Sequence, residues 1–402
     1  MDIVKTPLVR LAVVLLVLAA AMPAVATEAV FSTYLGGSAD DQPAGDMFID
    51  ERGYIYLTGP TKSADFPVTP GAFDTSFNSR NGTSDAFVMK LTPDGKIIWS
   101  TFIGTPTRDV FYTIKVDAEG YVYLAGGFGP GAPTTSGALQ GTFSGGKSGT
   151  DLWDGYLVKL KPDGSGLVWA TYLGTGNNES IRNMDIGPDG NLVVGTRFQG
   201  PPWPAHWFEG SFQSVPQGGE DSVIIKVSAD GSRVLWASYL GGSADDPYQP
   251  NVAIDKAGRV HVFTSTQSSD IPTTPGAHDR SHNGGTDIYI ATLSADGREL
   301  LMGTYLGTGG EEGGGGKRGI QVDSDGNLVI SAWTKSGDFP VTANAFRRTP
   351  MGFTPWGVTG VTARFSPAGK LLASTYIGNN EGLSLDSDDN VYISQQVWED
   401  VV

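Results

Sequence analysis

The chain has 402 residues, and its 56 Gly and 24 Pro make up about a fifth of it, below the range of low-complexity disorder, so it should fold. Hydrophobic residues at 39%, with 18 Phe, 14 Tyr and 9 Trp, supply a sizeable core and exclude collagen, coiled-coil and multispan membrane compositions. With 27 Lys+Arg against 43 Asp+Glu the net charge is −16, which excludes a general nucleic-acid binder, and zero Cys excludes disulfides, thiolate metal sites and cysteine-linked lipid anchors.

The N-terminus reads as a secretory signal. Lys5 and Arg10 precede the apolar run Leu11 to Met22, and Ala24-Val25-Ala26 offers the small residues a signal peptidase accepts. The run is short for a membrane span of about 20 residues. Residues 1–26 are therefore expected to be removed, leaving 27–402 as an exported domain in the periplasm, at the cell surface or outside the cell.

Beyond it the sequence repeats itself. Ser32-Thr33-Tyr34-Leu35-Gly36 returns as Ser100 to Gly104, Ala170 to Gly174, Ala237 to Gly241, Gly303 to Gly307 and Ser374 to Gly378, at spacings of 66 to 71 residues. A turn and β-rich run keep step: Gly53 before Tyr54-Ile55-Tyr56-Leu57, Gly120 before Tyr121-Val122-Tyr123-Leu124, and so on to Asp389 before Asn390-Val391-Tyr392-Ile393. Each unit reads as four short strands. The third is typified by Asp85-Ala86-Phe87-Val88-Met89-Lys90-Leu91, and Asp-Gly hairpins such as Asp94-Gly95 lead into a fourth, which holds Trp99, Trp169 or Trp236 in one slot. No window after the signal has sustained helical periodicity.

Such units bury two apolar sheet faces best by radial stacking, so the expected fold is an all-β six-bladed β-propeller. Blades fall at about 45–104, 112–174, 182–241, 250–307 and 317–378, with the last made of 382–402 plus 29–36. In that reading the first strand of the mature chain closes the incomplete last blade, whose third strand is missing or supplied by Val397 to Val402. A fragment ending inside a blade is the alternative. The Tyr-Leu-Gly-Gly to Ala-Asp-Asp run, the Asp-x-x-Gly turn, Asp65-Phe66-Pro67-Val68-Thr69-Pro70-Gly71-Ala72-Phe73 and the Asp-Ala-Phe-Val-x-Lys-Leu strand together resemble the SBBP β-propeller repeat of exported bacterial proteins. The resemblance implies a propeller on an extracytoplasmic protein and no particular reaction; the family name refers to seven blades, where six are read here.

Long connections between strands two and three are expected to form a binding face. That face carries Asp40-Asp41, Asp109, Glu179, Asp245-Asp246 and Glu311-Glu312, read as turn-forming carboxylates or as ligands for a cation or sugar hydroxyls. In unit three the loop departs from pattern as Gly200-Pro201-Pro202-Trp203-Pro204-Ala205-His206-Trp207-Phe208. Trp203, His206 and Trp207 are candidates for stacking on a ligand, with a small core under the loop as the alternative. Arg182, Lys317 and Arg318, near the start of inner strands, are candidates for holding an anion.

Other signals lack context. Gly141 to Ser148 has phosphate-loop spacing without the strand and helix its mechanism needs. His278 and His282 lie in a loop rather than on a helix, and His261 takes the slot of Tyr56 and Tyr123. Asp323-Ser324-Asp325-Gly326-Asn327 lacks the calcium loop's final Glu, since Thr334 stands there. No catalytic residue is assigned, and no metal or cofactor is expected. The leading reading is a monomeric binding or scaffold protein for a glycan or another extracellular protein, without nucleic acid or a membrane span after cleavage. The alternative is a polysaccharide lyase or hydrolase working on the long-loop face, in which Arg or Lys neutralises a uronate and His or Tyr moves the proton.

Overall fold

The computed structural model describes residues 31–42, 45–145, 152–198, 200, 202–246, 249–314, 319–350, 352, 354, 357–378 and 380–395. The proposed signal at 1–26 lies outside them. Among the described residues no helix is long and apolar enough to cross a membrane.

The repeat becomes a series of antiparallel sheets. The first holds β1 (Met47–Ile49), β2 (Ile55–Thr61), β3 (Asp85–Leu91) and β4 (Ile97–Ile103); the second β5 (Val110–Val116), β6 (Val122–Phe128), β7 (Asp154–Leu160) and β8 (Leu167–Leu173). The third holds β9 (Asn183–Ile186), β10 (Leu192–Phe198), β11 (Asp221–Val227) and β12 (Val234–Leu240); the fourth β13 (Asn251–Ile254), β14 (Val260–Thr266), β15 (Asp287–Leu293) and β16 (Leu300–Leu306). In the fifth, β17 (Glu312–Gly314) and β18 (Ile320–Val322) both pair with β19 (Leu328–Thr334), followed by β20 (Thr359–Phe365) and β21 (Leu371–Ile377). A last sheet has two strands, β22 (Asn380–Leu385) and β23 (Val391–Gln395). Strands meander in chain order within each sheet, and first strands pack in succession, β1 on β5, β5 on β9, β9 on β13, β13 on β18 and β18 on β22. This is the β-propeller arrangement, with alternating strand residues of neighbouring blades meeting in shared cores. Tyr56, Val88 and Trp99 of blade one, for example, join Phe111, Ile114 and Leu124 of blade two.

The fourth-strand tryptophans are the joints between blades. Trp99 donates its indole N–H to the Pro162 carbonyl at 2.9 Å, Trp169 to Ala229 at 3.0 Å and Trp236 to Ala295 at 3.1 Å, each on the next blade's hairpin. Gly164 and Gly231 are required there for two reasons. Their φ of +70° and +67° is left-handed, and a Cβ would come within 2.6 Å of the Trp99 or Trp169 ring.

The long two-to-three connections cover strand edges for much of their length, and their last residues, such as Trp153 and Glu220, bond to the inter-blade connections at Glu179 and Asp246. They run along the outer edge of their own blade: Thr69 N–H donates to Ser100 and Phe102 N–H to Asp74, Tyr172 N–H to Gln140, Tyr239 N–H to Gln213, Tyr305 N–H to Asp279, and Tyr376 N–H to Arg347. They then reach the next hairpin, with Phe73 N–H on Gly164, Leu139 on Gly231, Phe212 on Gly297 and His278 on Gly369. An outer strand left bare would present an unpaired edge, and these loops satisfy it.

The expected closing strand is not formed among the described residues. Residues 31–36 form no strand and no ladder joins them to β23, although Phe31 packs on Gly95 as Trp99 packs on Gly164. A fourth strand bonds only to a third, and no described residue forms a third strand beside β23. Tyr34 is accordingly 78% exposed, whereas Phe102, Tyr172, Tyr239, Tyr305 and Tyr376 are buried. Val397 to Val402, the expected third strand, lie outside the described residues.

Candidate functional site

The acidic face resolves into internal clasps. After outer strands β4, β8, β12 and β16, and after the N-terminal segment 31–36, a backbone N–H donates to the carboxylate four residues on: Gly37 to Asp41, Thr105 to Asp109, Thr175 to Glu179, Gly242 to Asp246 and Thr308 to Glu312. Hydroxyls at the end of strand two complete most of them, Thr61 and Ser63 on Asp41, Thr266 and Ser268 on Asp246, Thr334 and Ser336 on Glu312. Asp109, Glu179, Asp246 and Glu312 are buried, and Asp109, Asp246 and Glu312 tie the inter-blade connection to the end of strand two. Asp40 and Glu311 instead pair with Lys62 and Lys335 at the surface. Among the described residues no cluster of three metal-ligating side chains exists.

The unit-three loop also turns inward. Its residues 205–208 make a single 3-10 turn. Trp203 is 3% exposed, and Phe208, which is buried, stacks on Tyr239 at 4.3 Å. Trp207 lies half-buried 5.9 Å from Trp203, while His206 is exposed. Trp203 thus sits in the core under its loop, because strand-four Tyr239 needs an apolar cover that Phe66 or Ile271 gives elsewhere. Lys317 and Arg318 lie outside the described residues.

Arg182 has a different setting. It is exposed, with its guanidinium 4.8 Å over the Tyr112 ring, and makes no ion pair among the described residues. Tyr112 is displaced from the β5–β6 ladder where the register shifts between Phe111 and Thr113, a bulge that turns its ring out of the sheet. The ring meets Trp153 edge-on at 6.4 Å, and Arg108 lies 4.8 Å over the Trp153 indole. Trp153 donates its indole N–H to the Arg108 carbonyl at 2.8 Å and packs over Gly127 of β6, where a Cβ would come within 3.3 Å of the indole. On the other side, half-buried Arg197 contacts Glu220 at 3.4 Å. Burial lowers the Arg197 pKa; Glu220 opposes this and the neighbouring Arg182 charge adds to it.

These residues share one side of the propeller. Arg108 precedes β5, Trp153 precedes β7, Arg182 precedes β9, Arg197 is near the end of β10 and Glu220 precedes β11. They form a ledge across blades two and three: three guanidiniums, two aromatic rings and one carboxylate. Guanidinium forks match carboxylate, sulfate or phosphate, and the rings offer apolar faces to a sugar. Of the sequence candidates only Arg182 belongs to it. The others depart from the repeat: Trp153 stands where Ser84 and Thr286 do, and Arg197 where Pro60, Gly127 and Ser265 do.

The histidines lie elsewhere. His261 is buried, its ring nitrogens 2.9 Å from Thr292 and 3.2 Å from Asp255. His278 meets Phe365 and His282 meets Tyr305, each edge-on, so the two do not share a ligand.

No family model matches this sequence, and no curated protein matches it. Among solved structures it is similar to a PL25 ulvan lyase (12% identity, TM-score 0.42, covering 87% of this chain and 74% of that one). It is also similar to a quinohemoprotein alcohol dehydrogenase of Pseudomonas putida HK5 (11%, TM-score 0.39, 89% and 65%), less than two thirds of whose length it spans. A DUF4221 member from Bacteroides vulgatus gives 9% identity and a TM-score of 0.38, over 88% of this chain and 94% of that one.

Proposed function

We propose that this chain is an exported, SBBP-like propeller that binds an acidic extracellular glycan on the ledge formed by Arg108, Tyr112, Trp153, Arg182 and Arg197, without cleaving it. The observation that carries the reading is the seating of two guanidiniums on adjacent aromatic rings, Arg182 over Tyr112 and Arg108 over Trp153, each at 4.8 Å, with the rings 6.4 Å apart. Guanidiniums grouped on a molecule of net charge −16 give an anionic ligand a local point of attraction. Tyr112 and Trp153 add stacking surface beside the cations. The signal-like N-terminus and the repeat resemblance support export.

Titration of the 27–402 chain with polygalacturonate, alginate and neutral dextran tests this. Binding to the uronate polymers, weakened about tenfold by Arg182→Ala (about 1.4 kcal/mol) and further by Trp153→Ala, is the expected result. Equal binding to dextran, or none to any polymer, would overturn it. The lyase alternative draws on one observation, the Tyr112 phenol beside Arg182. In such a reaction the cation neutralises the uronate and the phenol moves the proton. Ultraviolet absorbance from unsaturated uronate products, abolished by Tyr112→Phe, would favour it.

A further inference from the structure

Each of the first four blades begins its third strand with a buried aspartate, Asp85, Asp154, Asp221 and Asp287, all fully buried. One carboxyl oxygen of each accepts a loop N–H, from Asn78 at 2.6 Å, Ser144 at 2.6 Å, Gln217 at 2.7 Å and Asn283 at 2.8 Å. The other oxygen, Oδ1 in every case, is buried without a hydrogen-bond partner. It packs on the glycine that ends the outer strand, and a Cβ on Gly104, Gly174, Gly241 or Gly307 would come within 2.1 to 2.6 Å of the aspartate. That glycine leads directly into the clasp.

The carboxylates therefore come in pairs with unequal partners. Clasp residues Asp109, Glu179, Asp246 and Glu312 receive donors on both oxygens, whereas the strand-three aspartates leave one bare. A bare buried carboxylate oxygen beside a second carboxylate is unfavourable, and a proton on it removes the charge and supplies a donor. Blade five shows the same slot filled by a neutral donor. There Thr359 begins β20, and its hydroxyl donates to the Ile377 carbonyl at 3.5 Å, at the end of the outer strand.

We propose that Asp85, Asp154, Asp221 and Asp287 are held as neutral carboxylic acids, each with its proton on the buried Oδ1, so that the propeller takes up protons on folding and is tightened by mild acid. The surrounding charges agree. Asp85 faces Asp74 and Asp109; Asp154 faces Glu179 and Tyr172. Asp221 faces Asp245, Asp246 and Tyr239; Asp287 faces Asp279, Glu312 and Tyr305, with His282 alone acting in the opposite sense. Burial, ahead of every other cause, pushes Asp154 up to about 7 and Asp221 and Asp287 to about 6, and raises Asp85; it also pushes the clasp partner Asp109 up to about 8 and raises Glu179 and Asp246, so the proton uptake belongs to each carboxyl pair, and in blade one Asp109 shares it with Asp85. The folded values of Asp154, Asp221 and Asp287 lie above the ordinary 3.8, so the stability they contribute is full below that value and is lost as pH rises through 6 to 7.

Infrared spectroscopy of the 27–402 chain reads the proton directly. At pH 5.5, where ordinary carboxyls are ionised, a protonated-carboxyl C=O stretch is expected in the folded chain, lost in urea and diminished by Asp154→Asn and by Asp221→Asn. Urea midpoints should fall between pH 4 and pH 7, and less so in the variants. Should Asn at position 154 prevent folding, Asp154→Thr, copying Thr359 of blade five, carries the same test. Absence of the band at pH 5.5, or a band unchanged by these substitutions, would overturn the proposal.

Discussion

Phe208 illustrates how a departure from the repeat is absorbed by packing. Its ring lies nearly parallel to Tyr239, at 13°, beside Trp203, which takes the place of Phe66 and Ile271 in other units. Phe208→Ala should cost about 3–5 kcal/mol in urea unfolding, as for other fully buried aromatic deletions. His261 is a second substitution within the pattern, standing where Tyr56 and Tyr123 bond the turn carboxylates Asp50 and Asp117. Burial lowers its pKa below the ordinary 6.5 despite Asp255. Its contribution to stability is therefore present above 6.5 and lost as pH falls, opposite in sign to the strand-three aspartates. His261→Tyr should leave stability near neutrality little changed and make the acid limb of the pH–stability curve shallower. Equal acid limbs in both proteins would count against this.

Among the elements, the outer strands and their covering loops form one unit. Thr135 shows the coupling: its N–H donates to the Ala170 carbonyl at 3.2 Å, while its hydroxyl oxygen accepts the Ala170 N–H at 3.0 Å. Thr69, Thr274 and Thr342 repeat it on Ser100, Gly303 and Ser374. The threonine in the Phe-Pro-Val-Thr motif is thus an edge cap. Thr135→Val should cost about 1 kcal/mol and accelerate amide exchange at Ala170 while β7 stays protected. The motif was visible in the sequence, yet its length read as a binding loop, because loop length reports nothing about which strand edge a loop covers.

For the whole molecule, stability is a chain of nearest-neighbour joints. Gly231→Ala would force a Cβ into the Trp169 ring at a positive φ, costing about 1–3 kcal/mol. Hydrogen exchange should then report early opening at β8 and β12, beside that joint, and little change in β15 and β16; uniform loss across all blades would contradict nearest-neighbour coupling. Charge is likewise organised globally. The proposed glycan contact collects Arg108, Arg182 and Arg197 on a molecule of net −16, so affinity for a polyuronate should fall as salt rises, while dextran shows no such slope.

The period, the four-strand unit, the turn chemistry and the all-β class are legible in the chain alone. These follow from local rules of alternation and glycine geometry that act within a few residues. Long-range packing sets which polar groups meet. It made Asp109 and Glu179 into clasps, buried Trp203 and put the long loops on strand edges. It also gathered Arg108, Tyr112, Trp153 and Arg197 around Arg182. Those outcomes depend on pairs from different blades, tens of residues apart in the chain, whose proximity no local pattern encodes.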